Sequence, residues 1–136
     1  MPKQTTRFEQ LAVWQKARVL SVAIYKTSST GAFARDFGLR DQLRRASVSV
    51  MSNIAEGFGR FTRPEFRRFV TIARGSVAEV QSQLYLARDL GYISEADHQA
   101  LNANCDEISG MLAALRTSLD SPKPSRRATW HLAPST

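Results

Sequence analysis

Six apolar residues, Leu101, Cys105, Ile108, Leu112, Leu115 and Leu119, recur at spacings of four, three, four, three and four. That rhythm places all six on one stripe of a helix and leaves the other faces polar. The segment is therefore predicted to be a helix that begins at Ser94, with Glu95 and Asp97 in a first turn where the helix dipole favours negative charge. A single amphipathic helix cannot bury its own seam, so the rest of the chain must supply partners. Cys105, the only cysteine, reads as a small core residue rather than a nucleophile, and it leaves no partner for an intramolecular disulfide.

Three other segments carry the same period. From Phe8 to about Ser28, Val13, Ala17, Leu20 and Ile24 form a stripe flanked by Phe8, Leu11 and Trp14. The following SSTGAFARDFG breaks the period and reads as a connection ending near Asp36, with Phe33 and Phe37 plugging the end of the core. A second helix is predicted from Asp36 or Gly38 to Phe58, through Leu39, Leu43, Ala46, Val50 and Ile54. Beside that face run Arg45, Ser49, Asn53 and Glu56, a polar stripe that reads either as a second contact surface or as ordinary solvated polarity.

The stretch SNIAEGFGRFTRPEF, residues 52–66, joins the second helix to the third. Gly57 and Gly59 are expected to end the second helix at flexible or left-handed positions. Thr62 and Glu65 then read as a reciprocal capping box, with Pro64 in the first turn where its missing N–H is harmless. A phosphate-binding loop is disfavoured on spacing: a dinucleotide fingerprint needs GxGxxG after a strand and a phosphate loop needs GxxxxGK, and GFGRFT meets neither. The third helix continues through Phe66, Val70, Ala73, Val77, Val80, Leu84 and Ala87 to Leu90, where Gly91 supplies the C-cap. Inside it, Gly75 reads as a close-approach point or a tolerated flexible site. Ser76, Glu79 and Gln83 form a second polar stripe, which makes Glu79 the natural partner for Arg45 across the hairpin.

No strand-like alternation occurs, so the fold class is all-α: an antiparallel up-down-up-down four-helix bundle over residues 1–120. Residues 121–136, SPKPSRRATWHLAPST, lack a period and are expected to form a disordered or partner-docked basic tail, with Trp130 a candidate anchor. Nothing at the amino terminus has the pattern of a signal peptide, and no apolar run approaches a membrane span, so a cytoplasmic protein is expected.

The formal charge is +7, and its distribution is uneven. Residues 35–74 hold nine bases against four acids, whereas residues 75–120 hold two bases against seven acids. Such polarity favours anionic partners, RNA or DNA first, or else opposite charges that pair between helices and subunits. The candidate phosphate contacts are Arg40, Arg44, Arg60, Arg63, Arg67 and Arg68, all expected to be exposed; Phe58 or Phe61 either stacks on a base or plugs the core. The candidate structural network is Arg45, Ser49, Asn53, Glu56, Ser76 and Glu79.

No catalytic, cofactor or metal site is expected. His98 and His131 are the only histidines, and no HExxH, cysteine pair or nucleophile elbow occurs. Glu56 and Glu79 are the one candidate carboxylate pair, more readily read as salt bridging than as part of a di-metal site.

The run QLRRASVSVMSNIAEGFGRFTRPEF with IARGSVAEVQSQLYLARDLGYI resembles the bacterial four-helix bundle proteins of the 23S rRNA intervening-sequence type, and the likeness covers residues 8 to 119. The resemblance implies a ring-like homopentamer. It also implies a relation to accessory proteins of diversity-generating retroelements, which bind nucleic acid and a reverse transcriptase. Two functions follow: a non-catalytic oligomeric scaffold that binds nucleic acid through arginines, or a structural or protein-interaction oligomer that binds none.

Overall fold

A computed structural model describes residues 6–120, so the expectations for residues 121–136 fall outside the described residues. A 3-10 turn at Phe8–Gln10 leads into α1 (Ala12–Thr27), the short α2 (Gly31–Arg35), α3 (Phe37–Gly59), α4 (Arg63–Asp89) and α5 (Glu95–Asp120). The four long helices form an antiparallel bundle, with α3 packed against α1 and α4, and α5 closing against α4 and α1. No described helix is long and apolar enough to cross a membrane.

The apolar stripes meet along the bundle axis. Ala17, Leu20 and Ile24 of α1, Leu43, Val50 and Ile54 of α3, Val70, Val77 and Leu84 of α4, and Cys105, Ile108 and Leu112 of α5 are all essentially inaccessible to solvent. Each fully buried aliphatic side chain contributes about 1.5–3 kcal/mol relative to its exposed state, which is why these rows dictate the fold. Burial also pushes the Cys105 thiol up to about 12, with a smaller contribution from the Asp106 carboxylate, so the group is no nucleophile near neutrality.

The bundle has two ends. At the α2 end lie the α1–α2–α3 connection and the α4–α5 turn, joined by the stacked rings of Phe33 and Tyr92 and by a 2.8 Å hydrogen bond from the Tyr92 hydroxyl to Asp36. Asp36 also caps α3 by accepting from the Leu39 N–H. At the α3–α4 end lie the turn between those helices and the last turn of α5.

Local details correct several expectations. The connection contains the helix α2, entered through Gly31 at φ 64°. Phe33 plugs the core, but Phe37 does not: α3 starts at Phe37 itself, and its ring is 62% exposed. Gly57 and Gly59 lie within α3, and the left-handed position of the turn is Phe61, at φ 65°. Gly57 is instead the close-approach glycine, because a Cβ there would sit 2.6 Å from the Phe69 Cβ. A Cβ at Gly75 would meet no atom of the chain within 4 Å. Thr62 caps α4 by accepting from the Glu65 N–H, but the Glu65 carboxylate accepts from Arg68, so only half of the expected box forms.

Candidate nucleic-acid interface

The six candidate arginines do not form one surface. Arg40 and Arg44 sit in the first turns of α3 at the α2 end, and Arg60, Arg63, Arg67 and Arg68 cluster at the α3–α4 end. Twenty residues of helix separate Arg40 from Arg60, about 30 Å at 1.5 Å per residue. Closeness in sequence hid this, because α3 runs the length of the bundle.

At the α3–α4 end the guanidinium groups face carboxylates. Arg60 pairs with Glu56 at 2.8 Å and Arg68 with Glu65 at 3.1 Å, and both lie over the buried Phe69 ring, at 5.2 and 4.6 Å from its centroid. Arg67 forms an ion pair with Asp120, and Arg63 donates to the Ser118 carbonyl at 3.1 Å. These last two arginines tie the end of α5, where carbonyls lack intrahelical donors, to the start of α4. Phe61, held out by its left-handed backbone, is 80% exposed amid the cluster, whereas Phe58 is buried against Phe66.

The α2 end is built differently. The Arg44 guanidinium lies 4.5 Å from the centroid of the Tyr25 ring, donates from Nε to Ser28 Oγ at 2.8 Å, and donates from Nη2 to the Tyr25 carbonyl at 3.2 Å. It thereby supplies donors to the last turn of α1. Arg40 lies 4.7 Å from the Phe37 centroid, donates to the Ala34 carbonyl at 2.9 Å and pairs with Asp41. Neither side chain is the freely exposed phosphate ligand that was expected, since each is partly buried by these contacts, and the same holds for Arg63 and Arg67 at the other end, whereas Arg60 and Arg68 are exposed as expected.

The polar stripes meet only in part. Ser49 and Ser76 share a 2.9 Å hydrogen bond between α3 and α4, and Asn53 Nδ2 donates to the Ser49 carbonyl and hydroxyl at 2.8 and 2.9 Å. Arg45 and Glu79 do not pair: both are exposed, Arg45 lying on the side of α3 away from Leu43, and no ion pair joins them among the described residues. Glu56 is held by Arg60, so no carboxylate pair forms in the core. His98 is buried against the Tyr85 ring, with neither ring nitrogen in a hydrogen bond. Among the described residues no group of three or more His, Cys, Asp or Glu side chains is arranged to hold a metal ion.

The family described as 23S rRNA-intervening sequence protein matches the chain over residues 9–114. The chain belongs to this family. The match spans all four long helices, with α5 included up to Leu115's neighbour Ala114. Among solved structures, a protein with unknown function from the S23 ribosomal protein family of Bacteroides thetaiotaomicron VPI-5482 is similar at 24% identity and a TM-score of 0.71. That likeness covers 77% of this chain and 98% of the other, and it shows a shared fold. No match was found among the curated proteins.

Sequence reasoning missed Tyr25 and Phe37 as surface aromatics. Tyr25 lies off the Ala17–Leu20–Ile24 stripe, which was a usable sign of exposure. Phe37 follows Phe33 by four residues, and a continuous helix would have put both on one face; the break at Asp36 turns Phe37 outward.

Proposed function

We propose that the protein is a non-catalytic oligomeric scaffold of the cytoplasm that binds RNA or DNA through the phosphate backbone. The observation that carries this reading is the gathering of Arg60, Arg63, Arg67 and Arg68 within one turn and the first turns of α4, beside an exposed Phe61 and in a chain of net charge +7. The carboxylates that face these arginines are themselves about half exposed, and such pairs contribute at most about 1 kcal/mol. Exchange of a carboxylate for a phosphate is therefore cheap, and counterion release from the nucleic acid favours it. The polar seam of Ser49, Asn53 and Ser76 serves the fold.

A second reading is supported by the outer face of α4, where Ile72 and Leu86, with Leu90 at the C-cap, are exposed on the same side as the open Gly75. A stripe of this kind fits self-association, with the homopentamer implied by the resemblance as the specific proposal, or contact with a partner protein such as a reverse transcriptase. In that case the protein is an assembly platform with no affinity for nucleic acid.

A salt titration separates the readings. Arg60→Gln with Arg68→Gln removes two guanidinium groups whose carboxylate partners are exposed neighbours on the same helix, so the fold should persist. The variant is expected to bind labelled RNA and DNA more weakly, with the slope of log affinity against log salt reduced by roughly 0.9 for each lost contact on a duplex. Wild-type protein that binds neither at low salt would leave only the platform reading.

A further inference from the structure

The outer edge of the α1–α3 seam carries a row of alternating rings and guanidinium groups. Phe37, Arg40 and Arg44 follow one another along α3 at steps of three and four residues, which places them on one side of the helix within about 10 Å of axial rise. Across the seam Tyr25 lies under the Arg44 guanidinium, so the row reads ring, cation, cation, ring. Both rings remain open to solvent, Phe37 at 62% and Tyr25 at 44%.

The surrounding charge is positive. Lys26 follows Tyr25 in the last turn of α1 and Arg35 closes α2; both are exposed, and neither forms an ion pair with a described carboxylate. The two acids of this edge are already engaged, Asp41 by Arg40 and Asp36 by the Leu39 N–H and the Tyr92 hydroxyl. Asp89 and Glu95, across the same end on α4 and α5, are held by Arg88. Four cations, Lys26, Arg35, Arg40 and Arg44, therefore stand against two committed carboxylates. The arginines are fixed in place by hydrogen bonds to Ala34, Ser28 and Tyr25, so little ordering remains to be done on binding.

We infer that this edge is a binding site for unpaired nucleotides, in which bases stack on Phe37 and Tyr25 while Lys26 and Arg35 meet the adjoining phosphates. Each ring has a guanidinium over one face and keeps part of its surface open to solvent, and such rings interleaved with cations suit a single strand, because every base offers a flat π surface once it leaves a duplex. An acidic protein segment would use the cations and gain little from the rings. This inference rests on the nucleic-acid reading above and deepens it: the α3–α4 end holds backbone of any strandedness, and the α2 end distinguishes single strands from duplexes.

The test compares wild type with Tyr25→Leu/Phe37→Leu, which keeps apolar bulk and removes both π faces, and with Phe37→Trp, which enlarges one. Probes are single-stranded RNA, single-stranded DNA and the DNA duplex of one sequence, together with inorganic polyphosphate, read by fluorescence anisotropy or competition. The double variant is expected to lose at least about tenfold in affinity for both single strands while duplex and polyphosphate binding and the salt slope stay as in wild type. Phe37→Trp is expected to bind single strands more tightly than wild type with duplex binding unchanged, and no gain for single strands in this variant would overturn the inference even if the double variant is poorly folded. Equal single-strand affinity in wild type and a folded double variant would overturn the inference and leave the backbone-binding reading standing. Wild type that binds no nucleic acid probe would overturn both.

Discussion

The two ends of the bundle both lay guanidinium groups over rings but differ in what those groups donate to. At the α3–α4 end, Arg60, Arg67 and Arg68 face Glu56, Asp120 and Glu65, and only Arg63 among the four ends on a carbonyl in its described contacts. At the α2 end, Arg40 and Arg44 rest on rings and donate to backbone and hydroxyl oxygens, with Asp41 the single carboxylate partner. Counted along the sequence, the first end looks the more basic. Counted by partners, three of its four arginines face carboxylates, whereas at the second end Arg88 takes up Asp89 and Glu95 and the α1–α3 edge keeps Lys26 and Arg35 without an ion pair among the described residues. Local charge thus depends on which acids the fold brings alongside, and a linear tally cannot supply that.

The largest effect is expected where the α3–α4 end is tightest. Gly57→Ala sets a Cβ against the Phe69 Cβ and should destabilise the protein by about 1–3 kcal/mol in urea unfolding. The same change at Gly75, where nothing stands nearby, should stabilise the isolated chain by up to about 1 kcal/mol. A neutral or stabilising Gly57→Ala would refute the close approach there.

Arg44→Met comes next, since it keeps a stem over Tyr25 but removes the donors to Ser28 Oγ and the Tyr25 carbonyl; a loss of about 1–2 kcal/mol is expected. Arg67→Gln, which breaks a half-exposed ion pair at the other end, should cost less than about 1 kcal/mol, and the cost should fade in high salt. A larger loss for Arg67 than for Arg44 would invert the contrast between the ends.

The Tyr92 hydroxyl sharpens it by pH. Its hydrogen bond to Asp36 raises it above the ordinary tyrosine value, so the neutral form is favoured in the fold. The contribution is therefore complete below about 10, the unfolded tyrosine value, and is lost as pH rises through the raised folded value. Tyr92→Phe should flatten the alkaline limb of a stability profile.

Arg45→Ala should be the mildest change, within about 0.5 kcal/mol in a thermal melt of the monomer, because the side chain is exposed with no ion-pair partner among the described residues.

The bundle was legible because burial repeats. Leu101 to Leu119 and its three counterparts follow the helical period over more than five turns in α4 and α5, and the antiparallel bundle hides these rows along its axis. The turns were less legible. GFGR invited glycine to take the left-handed position, yet Gly57 is needed inside α3 for contact with Phe69, and Phe61 takes the strained backbone instead. The candidate site was legible in residue type and misread in geometry. Arg40 and Arg44 were marked as candidates, but their contacts with Phe37 and Tyr25 depend on a break at Asp36 and on a contact between residues 19 apart in the chain.

Photo-crosslinking addresses the proposed division of labour most directly. A single-stranded RNA carrying 4-thiouridine, bound to the full chain and mapped by mass spectrometry, is expected to crosslink at Tyr25 and Phe37 at the α2 end. Crosslinks confined to the outer face of α4 around Ile72 and Leu86, or none above the level of a non-binding control protein, would contradict it.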